Sequence, residues 1–246
     1  MLKKDNFFKN YFVNSKMHKK NIKKTQKIFK LLKSDIKNFE IPMLQSYEKN
    51  YMFDFSSKTI KKFIKYNNIV IIGMGGSILG SEAIYNFFKD KIKKNLFFFD
   101  NLDSNLYLEF KKFKNLKNSC FIIISKSGNT LETLVNLNLI FSKSLLKNKL
   151  IIISEIKNSS LMNIANKFNA EIIEHKDFIG GRYSVLSEAG MFPAALMNLN
   201  INKFKNLGKL IHNKNFISSL IKNVSSIYTL NQQGIKNSVI LNYDSK

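Results

Sequence analysis

Residues 68–80 read NIVIIGMGGSILG, and this stretch decides the fold. Ile69–Ile72 is a run of β-branched residues too short for a buried helix, which predicts a strand buried on both faces. Four glycines then fall between Gly73 and Gly80, and the amphipathic segment Ser81–Lys89 follows. The order strand, turn, helix repeats downstream. Short apolar runs recur at Leu96–Phe99, Phe121–Ile124, Leu150–Ile153 and Glu171–Ile173, with amphipathic segments at Ser104–Phe113 and Thr130–Leu146 between them. Continuous apolar strands alternating with helices define an α/β protein: a three-layer α/β/α sandwich with a parallel central sheet and right-handed crossovers. Before this region, residues 1–40 are rich in Lys with apolar residues at loosely helical spacing, predicting a helical arm laid over a core. After it, Phe204–Ile221 reads as helix and Ser238–Tyr243 as one more strand. A parallel strand needs a crossover and neighbours, so that ending predicts a sequence cut rather than finished.

Composition narrows the classes. The chain has 246 residues, 44% of them apolar and 23% charged, as in an ordinary globular protein. With 10 Gly, 2 Pro and 1 Cys it is neither collagen-like nor a disulfide scaffold, and Cys120 has no partner for an internal bridge. No run approaches the ~20 apolar residues of a spanning helix, and the N-terminus has neither a signal peptide's apolar centre nor an Arg-rich presequence. These readings predict a soluble, cytoplasmic protein without a membrane partner. The 40 basic residues against 17 acidic ones give +23. Only Arg182 is arginine, however, and nucleic-acid binders rely on the planar guanidinium fork. Lysine, with Asn, Ile and Phe, is spread through every segment, so nucleic acid is not the expected partner. A positive field of this size favours anionic substrates.

Three segments carry chemistry. GMGGSILG, Gly73 to Gly80, follows a strand. Its glycines let the backbone approach an anion, Ser77 offers a hydroxyl, and the next helix presents free N–H groups. It matches neither the dinucleotide fingerprint nor a Walker loop. Tight packing alone would also explain a glycine turn there. SKSGNTLET, Ser125 to Thr133, places the hydroxyls of Ser125, Ser127 and Thr130 within six residues, adds the charge of Lys126, and turns at Gly128. Thr130 or Asn129 is the expected N-cap of the following helix. Hydroxyls, amides and a helix N-terminus together make a phosphate cradle; one hydroxyl would suffice for a plain capped turn. IGGRYSVLSEAG, Ile179 to Gly190, presents the single arginine after two glycines, with Tyr183, Val185 and Leu186 reading as core. Arginine retained where lysine fills every other basic position points to a need for the fork.

In this order and spacing, the three segments resemble the signature stretches of the glucose-6-phosphate isomerase (phosphoglucose isomerase) family, built from sugar-isomerase domains. GGRYSVLS is the most specific of them. The resemblance implies a first sugar-isomerase domain over residues 46–200, preceded by a helical extension (1–45) and followed by a linking helix and the start of an incomplete second domain (201–246). It implies reversible interconversion of glucose 6-phosphate and fructose 6-phosphate in glycolysis and gluconeogenesis, through an enediolate, with no metal and no organic cofactor. It implies substrate binding by Gly76, Ser77, Ser125, Lys126, Ser127 and Thr130, with the last five on the 6-phosphate. Arg182 would stabilise the enediolate, and Glu132 would steady the ring-opening histidine. The family's glutamate base, ring-opening histidine and C-terminal lysine fall beyond Lys246, and His18, His175 and His212 lie in none of its motifs, reading as surface or packing residues. The expectation is a chain that binds better than it turns over, within a longer homodimeric enzyme. A non-catalytic sugar-phosphate-binding module would use the same loops and stays open, as does a nucleic-acid-binding protein.

Overall fold

The structure, a computed structural model, describes residues 12, 14–38, 40–48, 50–112, 116–140 and 149–239. It divides into two compact units, one of residues Pro42–Lys205 and the other formed by the described residues on either side. Helix α1 (Lys16–Lys37) belongs to the flanking unit. The larger unit runs α2 (Ser57–Phe63), β1 (Asn68–Gly73), α3 (Leu79–Phe87), β2 (Asn95–Phe99), α4 (Ser104–Lys112), β3 (Ser119–Ile124), α5 (Leu131–Leu139), β4 (Leu150–Ser154), α6 (Ser160–Phe168), β5 (Glu171–Glu174), α7 (Glu188–Leu196) and α8 (Ile201–Phe204). Helix α9 (Lys214–Gln232) returns to the flanking unit and packs against α1, with buried Asn21 donating to Thr229 Oγ1 at 2.9 Å and to Gln232 at 2.8 Å.

The five strands form one parallel sheet in the order β2-β1-β3-β4-β5. All five apolar runs read from the sequence are strands. Every residue of β1, β3 and β4 is buried, as a sheet covered on both faces requires. Side chains alternate between the two faces. Ile69, Ile71, Ile122, Ile124, Ile151 and Ile153 pack with Phe63, Ile84 and Phe192 of α2, α3 and α7. Val70, Ile72, Phe121, Ile123 and Ile152 pack with Phe110, Leu137 and Leu161 of α4, α5 and α6. This is the three-layer sandwich. Beyond Glu188 helix α7 carries no polar side chain, and all nine of its residues are buried, which makes it an internal helix rather than an amphipathic cover.

Two readings change at the margins. Among the described residues, 235–239 carry no regular structure, so Ser238 and Val239 are not in a strand; the remainder of that reading, 240–243, lies outside the described residues. Helix α5 ends at Leu139, with residues 141–146 of the expected segment outside the described residues.

Chain direction positions the site. From β1 the chain steps outward to β2, then crosses back so that β3 lies on the other side of β1 and β4 and β5 continue away. The β1/β3 boundary is therefore the switch point of a doubly wound sheet, where the loops leaving the carboxyl ends diverge and open a crevice. In register Gly73 pairs with Ile124 as the last rung, so the two hydroxyl-bearing loops begin level with one another.

The single cysteine provides a check on the core. Cys120 lies in β3 opposite Ile69, is wholly buried, and burial pushes its thiol up to about 12. Ellman's reagent at pH 8 is expected to leave it unmodified in the native chain and to titrate one thiol after unfolding in guanidinium; rapid native labelling would contradict the sheet order.

Candidate functional site

The glycine loop after β1 folds as a single 3₁₀ turn, Gly75–Ser77, entered by Gly75 at φ +52° and closed by the Ser77 amide donating to the Met74 carbonyl at 3.1 Å. Gly76 has no space for a side chain: a Cβ there would stand 2.3 Å from both the carbonyl carbon and oxygen of Gly181, and 2.8 Å from the Arg182 nitrogen. Backbone meets backbone at this point. Ser184 fastens the contact by donating to the Gly181 carbonyl (2.7 Å) and standing 3.1 Å from the Gly76 carbonyl. The 3₁₀ helix Gly181–Leu186 thus carries Arg182 to the mouth of the β1 loop. Arg182 is exposed, and among the described residues its guanidinium has no hydrogen bond or ion pair.

The loop after β3 is a knot of hydroxyls. Ser125 Oγ lies 2.8 Å from Thr130 Oγ1, and Ser127 Oγ lies 3.5 Å from each of them. Gly128 turns the loop at φ +71°, its amide donating to the Ser125 carbonyl at 3.1 Å. Thr130 occupies the N-cap position of α5 by backbone conformation, but its hydroxyl turns to Ser125 and caps nothing. Asn129 corrects the other capping expectation: its side chain accepts from the Ser160 amide at 2.8 Å, serving α6 instead. Side chains cap α1, α2, α6, α8 and α9 through Ser15, Ser56, Ser159, Asn200 and Asn213, whereas α3, α5 and α7, which follow the three motif segments, have no side-chain cap. At α7 the N-cap position belongs to Ser187, and the buried carboxylate of Glu188 in the first turn receives Tyr51 Oη at 2.9–3.0 Å and the Asp54 amide at 3.1 Å. By chain direction the starts of α3 and α5 lie at the carboxyl ends of β1 and β3, with the positive ends of their helix dipoles toward that edge.

The expected site residues are brought together unequally. Gly76 meets Arg182, while Ser125, Ser127 and Thr130 form one cluster. Ser77 stands half-buried in the β1 turn, and Glu132 lies in the first turn of α5. Lys126 is directed away: its ammonium donates to the Asp177 carbonyl and lies 3.6 Å from Glu155, which also pairs with Lys157. Tyr183 is not core; it is 42% exposed, because the first turn of its 3₁₀ helix lies at the surface and only the second enters, burying Leu186. His18 packs against Phe12 with ring centroids 4.6 Å apart, and His212 is exposed. His175 is wholly buried at the end of β5, its Nδ1 3.2 Å from the Lys176 carbonyl and its Nε2 without a hydrogen-bond partner among the described residues. Sequence reasoning passed over Glu155, Asp177, Tyr51 and Glu188. Glu155 and Asp177 lie one and three residues past strand ends on the loop-bearing edge, and that position was the available signal.

These loops sit on an architecture that solved structures share. A hypothetical protein of Thermus thermophilus superposes with a TM-score of 0.67 at 19% identity, over 95% of this chain and 58% of that one. A glucose-6-phosphate isomerase of Chlamydia trachomatis superposes at 0.51 and 22% identity, over 69% of this chain and 33% of its own. At these identities the likeness is one of fold. Sequence identifies the family. The profile described as Phosphoglucose isomerase matches residues 32–246, and the chain belongs to that family. It is 33% identical over 204 residues to the glucose-6-phosphate isomerase of Methanocaldococcus jannaschii (79% of this chain, 50% of that protein). With the Borreliella afzelii enzyme of the same name it shares 38% over 145 residues, 54% of this chain and 27% of the relative. The chain spans about half the length of the first of these relatives or less.

Two outcomes are expected from this geometry. Gly128→Ala forces a left-handed φ on a side chain whose Cβ would lie 2.3 Å from Ser159 Oγ, and should cost about 2–4 kcal/mol in urea unfolding; an unchanged midpoint would show that the loop is not packed on Ser159. Burial lowers the folded-state pKa of His175, an effect that the neighbouring Lys126 charge reinforces and Glu155 opposes. The unfolded chain therefore binds the proton more readily, and stability contributed by neutral His175 falls as pH drops below about 6.5. His175→Leu should flatten the fall in Tm between pH 7.5 and 5.5 relative to the native chain; parallel pH profiles would assign the dependence elsewhere.

Proposed function

We propose that the three segments form the phosphate- and enediolate-binding side of an aldose–ketose isomerase acting on glucose 6-phosphate and fructose 6-phosphate. The observation that carries this reading is the hydroxyl knot Ser125–Ser127–Thr130 at the uncapped start of α5, across the β1/β3 crevice from a loop whose Gly76 touches the backbone of the only arginine. A phosphate dianion replaces the hydroxyl–hydroxyl bonds with stronger charge-assisted ones and meets the helix amides directly. Ser77 and the amides of its turn approach from β1.

With the phosphate held, the open-chain sugar is oriented for proton transfer between C1 and C2. Removing the proton from C2 leaves negative charge on the C1 oxygen, with the C2 hydroxyl beside it, and a planar guanidinium with two parallel donors can span the two oxygens of that enediolate. Arg182 supplies it, and Gly76 allows the sugar to lie against the backbone. Lys126, held by Asp177 and Glu155, shapes the loop instead of donating its charge to the phosphate. Glu132, at the start of α5, is the acid proposed to steady the histidine that opens the sugar ring. A positioned general base contributes about 10²–10⁴-fold to such a reaction. No residue of the three segments is placed as that base, so these segments by themselves are expected to bind substrate with little turnover. The complete enzyme is proposed to be a cytoplasmic homodimer serving glycolysis and gluconeogenesis.

Isothermal titration calorimetry with fructose 6-phosphate tests the reading. Binding is expected for the native chain, with fructose itself inert, and Thr130→Ala and Arg182→Ala each weakening it about tenfold or more at unchanged Tm. Equal affinity in both variants would overturn the site. Steady isomerisation by this chain, abolished in Arg182→Ala, would show that a base is present after all. Ligand binding without isomerisation in a chain extended past Lys246 would favour the non-catalytic binding module.

A further inference from the structure

The lysines of α1 are not spread evenly. Nine of its 22 residues are Lys against one Asp, far above the chain's 40 basic residues in 246. Lys23, Lys27, Lys30 and Lys33 recur at steps of four, three and three and so share one stripe of the helix. Together with Gln26, Phe29 and the Ile217 and Ile221 of α9, they line an open groove of about 620 Å³ within the flanking unit. Phe29, Ile217 and Ile221, one turn apart on α9 in the case of the isoleucines, are only half-buried by the α1–α9 contact. None of the four lysines forms an ion pair with a described residue, and Lys33 lies over the Phe29 ring at 5.9 Å.

We propose that this groove docks an acidic amphipathic helix of a partner protein. Four like charges on one stripe repel one another, and carboxylates at matching spacing relieve that repulsion while the partner's apolar side covers the floor. The stripe from Lys23 to Lys33 is about 15 Å long, three turns of helix. A nucleic-acid duplex matches the charge but has no apolar ridge for the floor, and the groove holds no arginine. A bilayer surface is flat and leaves a concave floor uncovered. This proposal is independent of the sugar-phosphate reading.

The probe is a fluorescein-labelled helical peptide of about 15 residues, with Glu at i, i+4 and i+7 and Leu on the adjoining stripe, titrated with the full chain. A scrambled peptide of the same composition, phosphatidylserine vesicles and duplex DNA are the comparisons. Expected are saturable anisotropy for the amphipathic peptide, at least about tenfold weaker binding of the scrambled one, and weakening with salt. Lys27→Glu/Lys30→Glu should lose about tenfold or more at unchanged circular dichroism and Tm. Ile221→Ser, which leaves the charge intact, should lose affinity for the amphipathic peptide and not for the scrambled one. Absence of binding, equal affinity for both peptides, native affinity in the variants, or tighter binding of vesicles or DNA each overturns the proposal.

Discussion

The site depends on one close approach, the backbone of Gly76 against that of Gly181 and Arg182. Strand β5 lies at the edge of the sheet, with β4 and β3 between it and β1. The chain leaving β5 must therefore run back across the carboxyl edge of two strands before its arginine can serve the β1 loop. Any side chain at Gly76 would wedge these backbones apart. Ser184 bridges the two carbonyls, and Gly190, whose Cβ would stand 2.0 Å from the Val185 carbonyl oxygen, lets the chain turn down into α7. The arginine is placed by glycine packing rather than by a bond to its own side chain, which leaves its fork free for a ligand.

Net charge is a poor guide to how this site would hold an anion. The one lysine in the β3 loop is spoken for by Asp177 and Glu155, and Glu155 is shared with Lys157. What faces the crevice is a set of neutral dipoles: three hydroxyls, the loop amides and two helix starts without side-chain caps. Such groups discriminate by geometry, because a hydroxyl 2.8 Å from its neighbour accepts or donates only along fixed directions. A cloud of lysines attracts any anion equally. The +23 of the chain can raise the local concentration of anions, and under the proposed function the loops would select among them.

How much was legible follows from which interactions are local. Runs such as Ile69–Ile72 and Phe121–Ile124 are buried whatever their neighbours, so period and composition disclosed the strands directly. The glycine and hydroxyl loops were legible because strand-to-helix turns sit on the carboxyl edge by chain direction alone. The N-cap position of Thr130 was legible too, but the bonds made by its hydroxyl and by Asn129 were not, for a different reason. Thr130 and Asn129 each had two possible partners, and the choice was made by Ser125 within the loop and by Ser160, 31 residues away. Tyr183 was misplaced because a 3₁₀ turn that starts at the surface exposes aromatics that an apolar pattern assigns to the core. The fate of Lys126 was hidden altogether, since Asp177 and Glu155 reach it only through the pairing of β3, β4 and β5.

Glu188 shows why a carboxylate near the arginine in sequence is not thereby a base. It lies six residues beyond Arg182 and is wholly buried, and that burial raises its pKa, as a proton acceptor for neutral pH requires. Its oxygens, however, are committed: Tyr51 donates to both, and the Asp54 amide to one. The charge also offsets the start of α7, which has no side-chain cap. A carboxylate that abstracts a proton from carbon must reach the substrate and shed its donors as the proton arrives. Glu188 has no solvent-facing surface through which to do so, and releasing Tyr51 and Asp54 would unfasten the segment before β1 from the helix that seats the arginine loop. Its raised pKa is thus the mark of a structural acid, and the proton transfer proposed for this family member has to use a different carboxylate.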